Sequence, residues 1–209
     1  MGLKEKQEKL ALLRQEIGGC QKCPLAKSRN RTVPGEGDPN TQILFIGEAP
    51  GFNEDQQGIP FCGAAGKFLD ELLGSIEMKR QDVFIANTLK CRPPENRDPE
   101  PEEKAACRPY LDQQIEIIGP KIIITLGKHS TETFLPEVGG ITRQRAKLFR
   151  RPGNCYFFPL YHPAAALHNG NLRDTLIQDF KKIPDVLKKI EAEAKPALEK
   201  EEIKQEKLF

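Results

Sequence analysis

Four cysteines are the residues whose spacing in this chain is most specific for chemistry. Cys20 and Cys23 form a Cys-x-x-Cys pair near the start, and Cys91 and Cys107 follow after a whole predicted βα unit. Two such pairs can converge to hold a metal ion or an iron–sulfur cluster through four thiolates. The spacing alone does not distinguish a structural zinc ion from a cluster, so both remain open.

Other uses of these cysteines fit the sequence less well. Disulfides need an oxidising compartment, and residues 1–13 are charged and amphipathic, without the apolar core of a signal peptide. A thioredoxin-like redox pair is disfavoured because Cys20 and Cys23 follow a helical segment and do not open a helix after a strand. The remaining cysteines, Cys62 and Cys155, lie in apolar runs and are expected to be buried small hydrophobes.

The composition is that of a soluble globular protein. The 209 residues are 38% hydrophobic and carry a formal net charge of +2. We therefore expect one domain over residues 1–190 that is cytoplasmic and monomeric and has no membrane span. Residues 141–151 carry five cationic side chains and no acid. Such a block indicates either a solvated loop or a surface that contacts phosphates.

Strand-like and helix-like segments alternate along the chain. Short β-branched or aromatic runs, of the kind buried in a parallel sheet, lie at residues 41–47, 83–87, 121–127 and 155–160. The predicted helices lie at residues 64–75, 100–118, 128–135 and 172–190. This order predicts an α/β protein, a three-layer α/β/α sandwich with a central four-stranded parallel sheet. Residues 191–209 are rich in Glu, Lys and Ala and are expected to form a charged tail.

Polar segments follow three of the predicted strands. Residues 47–51 (GEAPG) end the first strand, residues 87–97 begin at the end of the second, and residues 161–167 (YHPAAAL) follow the fourth. Parallel strands present their carboxyl ends at one edge of a sheet, and open α/β folds place their ligand sites there. We expect the three segments to converge on that edge.

These motifs occur together in the order of a known enzyme family. In sequence they are the Cys-x-x-Cys, GEAPG, GIPF with Gly63 and Ala65-Gly66, NTLKCRPPENR, Cys107 and HPAAAL. Over residues 18–183 the chain resembles the family 4 uracil-DNA glycosylases, the iron–sulfur branch of the uracil-DNA glycosylase superfamily. The resemblance implies the fold of that superfamily. It also favours a structural [4Fe–4S] cluster over zinc, with the four cysteines as ligands.

The implied reaction is hydrolysis of the N-glycosidic bond of deoxyuridine in single- or double-stranded DNA. It releases uracil and leaves an abasic site, as the first step of base excision repair. No lysine stands where a Schiff base is implied, so a monofunctional enzyme without strand cleavage is expected. The competing hypothesis is a non-catalytic iron–sulfur protein that binds DNA or senses redox state.

An enzyme that attacks the glycosidic bond must extrude the nucleotide into a pocket. The resemblance implies that Phe61 stacks on the pyrimidine and that Asn87 reads its Watson–Crick edge. Without the resemblance, Phe61 would be interpreted as a core aromatic residue and Asn87 as a turn residue. Glu54 resembles the position that crowds the pyrimidine C5 and excludes the methyl group of thymine; otherwise it is a solvated loop residue. Gly47 and Gly51, in the GEAPG motif, are expected to contact the substrate.

Breaking the bond places negative charge on the departing base, so catalysis needs a donor where that charge forms. His162 matches the catalytic histidine of the family and is expected to donate to uracil O2. Glu48 either polarises the attacking water or holds its loop, and Asn96 matches a residue suggested to position the water. The two other histidines, His129 and His168, are expected to be surface or loop residues.

Contacts to DNA are predicted after His162 and in the cationic block. Residues 164–167 resemble the minor-groove loop of the superfamily, so Leu167 is either a wedge that fills the gap of the extruded nucleotide or the first apolar contact of the last helix. The side chains expected to contact backbone phosphates are Arg143, Arg145 and Lys147, together with Arg150, Arg151, Arg92 and Arg97.

The last five residues resemble a peptide that binds the replication sliding clamp. Gln205, Leu208 and Phe209 match the Gln-x-x-Leu-Phe pattern of bacterial repair and replication proteins. The alternative is a frayed tail. We expect the sliding clamp as a second partner, bound as a short peptide in a pocket.

Overall fold

The computed structural model describes residues 1–151 and 155–193, and its centre is a mixed β-sheet. Six described strands occur in the order β1-β3-β2-β4-β6-β5. Their bounds are β1 Glu36–Gly37, β2 Ile43–Gly47, β3 Phe84–Asn87, β4 Ile122–Thr125, β5 Phe149–Arg151 and β6 Cys155–Phe157. Strands β3, β2, β4 and β6 are parallel, so the predicted α/β architecture is confirmed.

The four predicted parallel strands form the centre of the sheet, and two short antiparallel strands that were not predicted extend its edges. Strand β1 pairs with β3, and β5 pairs with β6. Two and three residues are too few to show an alternating pattern, and β5 (FRR) lies inside the cationic block. Charged side chains are common on edge strands, where they discourage pairing with another chain. Part of the predicted basic loop is therefore a strand.

Helices cover both faces of the sheet. Their bounds are α1 Leu3–Gly18, α2 Phe52–Gln57, α3 Ala64–Gly74, α4 Pro101–Ile118, α5 Lys128–Phe134, α6 Ile141–Gln144, α7 Pro163–His168 and α8 Asn171–Phe180, and residues 183–193 form α9. None of the described helices is long and apolar enough to cross a membrane.

The predicted closing helix over residues 172–190 is two helices, α8 and α9. The helix breaks at residues 181–182. Pro184 explains the break, because its ring would collide with the carbonyl group four residues earlier, that of Phe180. Helix α9 continues past residue 190, and the Tyr156 hydroxyl bonds to Glu193 Oε2 at 2.7 Å. Residues 194–209, with most of the predicted tail and the clamp peptide, lie outside the described residues.

Strand β2 shows why polar groups collect at the strand ends. All five of its residues are buried, and they alternate between two apolar clusters. Ile43 and Phe45 pack towards α3 and α8, whereas Leu44 and Ile46 pack towards α4. With both faces covered by apolar side chains, the carboxyl edge is where this sheet can present hydrogen-bonding groups to a ligand.

Helix α1 packs on α4 and brings the first two cysteines towards the last two. Leu13, Ile17, Tyr110 and Ile117 form the apolar contact between these helices, and Cys20 packs against the same cluster. Cys107 lies within α4. Cys20 and Cys23 thus lie near Cys107 because α1 and α4 share one apolar interface.

Candidate active site and cysteine cavity

The polar segments that follow β2, β3 and β6 line one cleft at the carboxyl edge of the sheet. Its volume is about 350 Å³, and its walls include Glu48, Gly51, Glu54, Phe61, Asn87, Asn96, Arg97 and His162. Pockets of this size enclose small planar ligands. The structure thus brings together residues from positions 48 to 164 of the sequence.

Phe61 forms part of the cleft wall in a strained backbone conformation. Its φ is 51°, in the left-handed region that a bulky residue rarely adopts. The guanidinium of Arg80 holds this turn by donating to the Pro60 carbonyl at 2.5 Å and the Phe61 carbonyl at 3.2 Å. At Gly66, a Cβ atom would lie 1.5 Å from the Phe61 carbonyl oxygen. The surrounding structure therefore fixes the direction of the ring.

Gly47 separates Phe61 from Asn87. A Cβ atom on this glycine would lie 2.4 Å from Asn87 Oδ1 and 2.7 Å from Phe61 Cζ. Any other residue at the end of β2 would therefore displace the aromatic ring, the amide or both. Phe61 and Asn87 consequently border the same point of the cleft, on either side of a position that must be glycine.

Asn87 carries an unpaired hydrogen-bond acceptor. The residue is 2% exposed, and its Oδ1 is the one buried side-chain nitrogen or oxygen atom without a hydrogen-bond partner in the part of the chain that the structure describes. Leaving such an atom unpaired costs about 1–3 kcal/mol. Because Asn87 lines the cleft, a ligand N–H group placed there would remove that cost.

His162 presents a defined tautomer. Its Nδ1 accepts a hydrogen bond from the Ala164 backbone N–H at 3.1 Å, so the proton of the neutral ring is on Nε2. Desolvation in the cleft lowers the pKa of His162 to about 4, and the Glu54 carboxylate opposes this weakly. The imidazole stacks on Phe61 with ring centroids 5.4 Å apart. At neutral pH it is an uncharged donor.

Glu54 joins the two loops on either side of the cleft. Its Oε2 accepts from the Gly51 N–H at 3.0 Å, and its Oε1 accepts from the Gly63 N–H at 3.1 Å. Both carboxylate oxygens are thus engaged by backbone, which gives Glu54 a positioning role whatever it does at the pyrimidine C5. A Cβ atom on Gly51 would lie 2.7 Å from Glu54 Oε2.

Glu48 and His129 form a second polar group at the cleft. The His129 Nε2 atom lies 4.0 Å from Glu48 Oε2 and 3.5 Å from Asp98 Oδ2. Burial raises the pKa of Glu48, the Asp98 carboxylate adds to the rise, and the His129 imidazole opposes it. His129, expected to be a surface or loop residue, lies in α5 and not in a loop, and its partly exposed ring is beside Glu48. It follows β4, so the strand-end rule applied to the other three strands would have found it.

Asn96 lines the cleft, and Arg92 links it to the neighbouring ring of Phe52. Asn96 has a φ of 57°, which asparagine tolerates, and its Oδ1 accepts from Arg92 Nε at 2.7 Å. The Arg92 guanidinium in turn lies over the ring of Phe52 at 5.3 Å. Phe52 is 57% exposed and was not among the predicted site residues. An aromatic residue directly after the GEAPG motif is the signal that could have found it.

The predicted DNA-contacting residues have different environments. Leu167 is 48% exposed on α7, outside the apolar core. Arg143 and Lys147 are exposed, whereas Arg145 forms an ion pair with the buried carboxylate of Asp179. Lys182 Nζ also pairs with Asp179, at 3.0 Å, so moving Arg145 to a phosphate would cost this buried carboxylate one of its two cationic partners.

The four predicted ligand cysteines line one cavity. Cys20, Cys23, Cys91 and Cys107 meet there between α1, α4 and the segment after β3. The other two cysteines, which were expected to be buried, are only partly buried and lie elsewhere. Cys62 lies in the segment between α2 and α3, and Cys155 is the first residue of β6, so neither is in the middle of a buried element.

The four thiols do not form the compact group in which a single zinc ion is held. Four ligands at a Zn–S distance of about 2.3 Å require sulfur atoms about 3.8 Å apart. In the described residues, which include all six cysteines, no three Sγ atoms lie within 4.8 Å of one another. Backbone and side-chain N–H groups point at the sulfurs: Arg29 Nη1 lies 3.3 Å from Cys91 Sγ, and the Lys90 N–H lies 3.4 Å from Cys107 Sγ. Such donors stabilise cluster-bound thiolates.

Comparison with known proteins gives the family of this chain. The family model described as the uracil DNA glycosylase superfamily matches residues 34–184. The chain belongs to this superfamily. It is 50% identical over 187 residues to a protein of Sulfurisphaera tokodaii named Type-4 uracil-DNA glycosylase, covering 86% of this chain and 85% of that protein. A Thermotoga maritima protein of the same name is 40% identical over 187 residues, covering 88% and 97%. A Type-5 uracil-DNA glycosylase of Thermus thermophilus is 31% identical over 153 residues, covering 63% and 68%.

The tautomer and pKa of His162 are testable without any assay of activity. An NMR titration of the imidazole, assigned by comparison with His162→Gln, should show the proton on Nε2 and a midpoint near pH 4, because desolvation disfavours the cation. The unfolded chain binds this proton more readily, so the contribution of His162 to stability should fall as pH drops from about 6.5 towards 4. A midpoint near 6.5, or a proton on Nδ1, would contradict the assignment.

Proposed function

We propose that this protein removes uracil from DNA by hydrolysing the N-glycosidic bond of deoxyuridine, in single or double strands, and leaves an abasic site. The observation that carries the proposal is the unpaired Oδ1 of Asn87 in a cleft that also contains an aromatic ring and an imidazole donor. An extruded uracil supplies what this cleft lacks, namely a flat ring with an N–H group on its Watson–Crick edge.

Recognition follows from the hydrogen-bonding pattern of the pyrimidine. Asn87 Oδ1 accepts from uracil N3–H, and its amide group donates to O4. Cytosine carries an unprotonated N3 and an amino group at C4, so both contacts would be mismatched and Oδ1 would remain unpaired. Stacking on Phe61 adds affinity for any flat base, and the Asn87 amide supplies the selectivity.

Catalysis is mainly electrostatic. As the bond between C1′ and N1 breaks, its electron pair leaves with the uracil, and His162 Nε2–H donates to O2, where the charge collects. A neutral donor suits this step, because it is already in place and needs no titration at the pH of the cell. The deoxyribose develops oxocarbenium character, and a water oxygen forms the new bond to C1′.

Glu48 and Asn96 assist the water without being essential bases. The Glu48 carboxylate accepts the proton that the water loses, and the raised pKa of Glu48 makes it a better acceptor than an exposed glutamate. An oxocarbenium-like centre needs only a modest nucleophile. No lysine lines the cleft within residues 1–151 and 155–193, so no amine is placed to form a Schiff base and cleave the strand.

The four cysteines hold an iron–sulfur cluster in this proposal, and their wide spacing supports it over a single zinc ion. When bound, a [4Fe–4S] group supplies a rigid anchor and no chemistry at the base. Cys20 and Cys23 attach α1 to that anchor, and Cys91 and Cys107 attach the segment after β3 and helix α4. The ligands thereby tie together the elements that carry Asn87 and the loop of Asn96.

DNA is held by the rim of the cleft. Leu167 is exposed on α7, directly after the segment of His162, and can fill the space of the extruded nucleotide. The exposed side chains of Arg143 and Lys147 contact backbone phosphates, which sets register without reading sequence. Affinity for DNA therefore decreases as the salt concentration rises.

Base-release assays separate the glycosylase from the competing non-catalytic iron–sulfur protein. The wild type should release uracil, and not cytosine or thymine, from otherwise identical oligonucleotides. Asn87→Ala should lower the rate of uracil release by about 100-fold, because two hydrogen bonds to the base are lost. Asn40→Ala, at the amino end of the sheet, is the matched control and should retain the wild-type rate. If no uracil is released after incubation with wild type that carries its cluster, the glycosylase is excluded.

The cluster assignment has its own test. Cys91→Ser should lose the visible absorbance of the purified protein and at least ~2 kcal/mol of unfolding free energy, because one ligand of the anchor is gone. Cys155→Ser removes a thiol outside the cavity and should leave the absorbance unchanged. Metal analysis that finds one zinc ion per chain, or equal absorbance in both variants, would refute the assignment.

We extend the proposal to the sliding clamp as a second partner. The last five residues resemble a clamp-binding peptide at the end of a charged segment. Leu208→Ala with Phe209→Ala should abolish binding to the clamp, whereas Lys207→Ala should retain it and all variants should release uracil from short oligonucleotides at the same rate. Equal clamp affinity after removal of residues 205–209 would eliminate this partner.

A further inference from the structure

Lys90 is a buried amine that the reaction above does not use. The residue is 1% exposed. Its Nζ atom donates to the backbone carbonyl of Asn87 at 2.7 Å and to Gln114 Oε1 at 2.6 Å. Burying a lysine costs free energy unless its donors are satisfied. Lys90 is therefore a buried lysine with hydrogen-bonded donors, and it lies beside the residue proposed to read the base.

The hydrogen bond to Asn87 closes a short loop. Lys90 lies three residues after Asn87, and its side chain reaches back to the carbonyl of that residue. The two residues between them are fixed to the opposite wall of the cleft, since the Thr88 N–H donates to the Gly47 carbonyl and the Leu89 N–H donates to the Glu48 carbonyl, both at 3.0 Å. The peptide that carries the Asn87 amide is thus held from two directions.

Gln114, the second acceptor of Lys90 Nζ, is also held in place. Gln114 lies on α4, and its Nε2 donates to the Pro34 carbonyl at 2.7 Å. The backbone of Lys90 is held as well, because its N–H points at Cys107 Sγ and its carbonyl accepts from the Val33 N–H at 2.8 Å. Lys90 therefore connects helix α4 and the cysteine cavity to the end of β3.

We propose that Lys90 is a positioning residue for base recognition, which holds the Asn87 peptide so that the amide faces the uracil edge. The inference rests on the proposed function, because it assigns Lys90 to the reading of uracil by Asn87. Without the ammonium, the Asn87 carbonyl and the Gln114 side chain lose a shared donor and the peptide can rotate. Small errors in the placement of a recognition group cost large factors in rate. The cluster ligands next to Lys90 then contribute to recognition by supporting the same segment.

The test is a double-mutant cycle in single-turnover kinetics at saturating uracil-containing DNA. Lys90→Met keeps the length and removes the donors; it should slow uracil release by about tenfold. The dissociation constant for abasic-site DNA, the visible absorbance and the urea midpoint should stay close to the wild-type values. In the Asn87→Ala background the same substitution should have no further effect, because its target is absent. Equal rates for wild type and Lys90→Met, or multiplicative effects in the cycle, would overturn the proposal.

Gln114 provides a second test that keeps Lys90 in place, which decides the matter if Lys90→Met fails to fold. Gln114→Glu and Gln114→Met both lose the bond to Pro34, but only the glutamate keeps an acceptor for Lys90 Nζ. Uracil release should be at least threefold faster in Gln114→Glu than in Gln114→Met, and equal rates would overturn the inference. If wild-type protein releases no uracil, the proposed function fails; if it does and these comparisons fail, only the role of Lys90 is wrong.

Discussion

One unpaired acceptor, Asn87 Oδ1 at the end of a buried parallel strand, is the constraint to which the rest of the cleft is fitted. Covering both faces of the sheet with apolar side chains leaves the carboxyl edge as the place for ligand-binding groups. Gly47 has no side chain and so leaves space at that edge. The strained turn at Phe61, held by Arg80, places the aromatic ring beside that space. The free energy cost of an empty acceptor is recovered when a base supplies the missing N–H group.

Recognition and catalysis are separated in this cleft but depend on shared backbone. In the proposed reaction Asn87 reads the base and His162 donates where charge collects. The tautomer of His162 is set by the Ala164 backbone N–H group, which donates to Nδ1. Glu54 holds the loops of Gly51 and Gly63 together. On the far side, the cysteine cavity supports the segment after β3 through Lys90 and α4. In the proposal, an iron–sulfur cluster held there would stabilise recognition while taking no part in the chemistry.

The sequence predicted the elements with strong patterns and the segments that meet at the sheet edge. It failed where the signal is short or depends on tertiary packing. Strands β1 and β5 are too short and polar to show alternation, and the break before Pro184 could have been found from proline geometry alone. His129 was missed because the strand-end rule was not applied to β4. The wide spacing of the thiols and the Nε2 tautomer of His162 depend on contacts between distant segments, which no local pattern contains.

The most direct test of the account is a crystal structure of the protein with free uracil bound in the cleft. The account predicts uracil N3 within roughly 2.7–3.2 Å of Asn87 Oδ1, the ring stacked on Phe61, and O2 within the same reach of His162 Nε2. Uracil bound outside the cleft, or bound with Asn87 Oδ1 still unpaired, would contradict it.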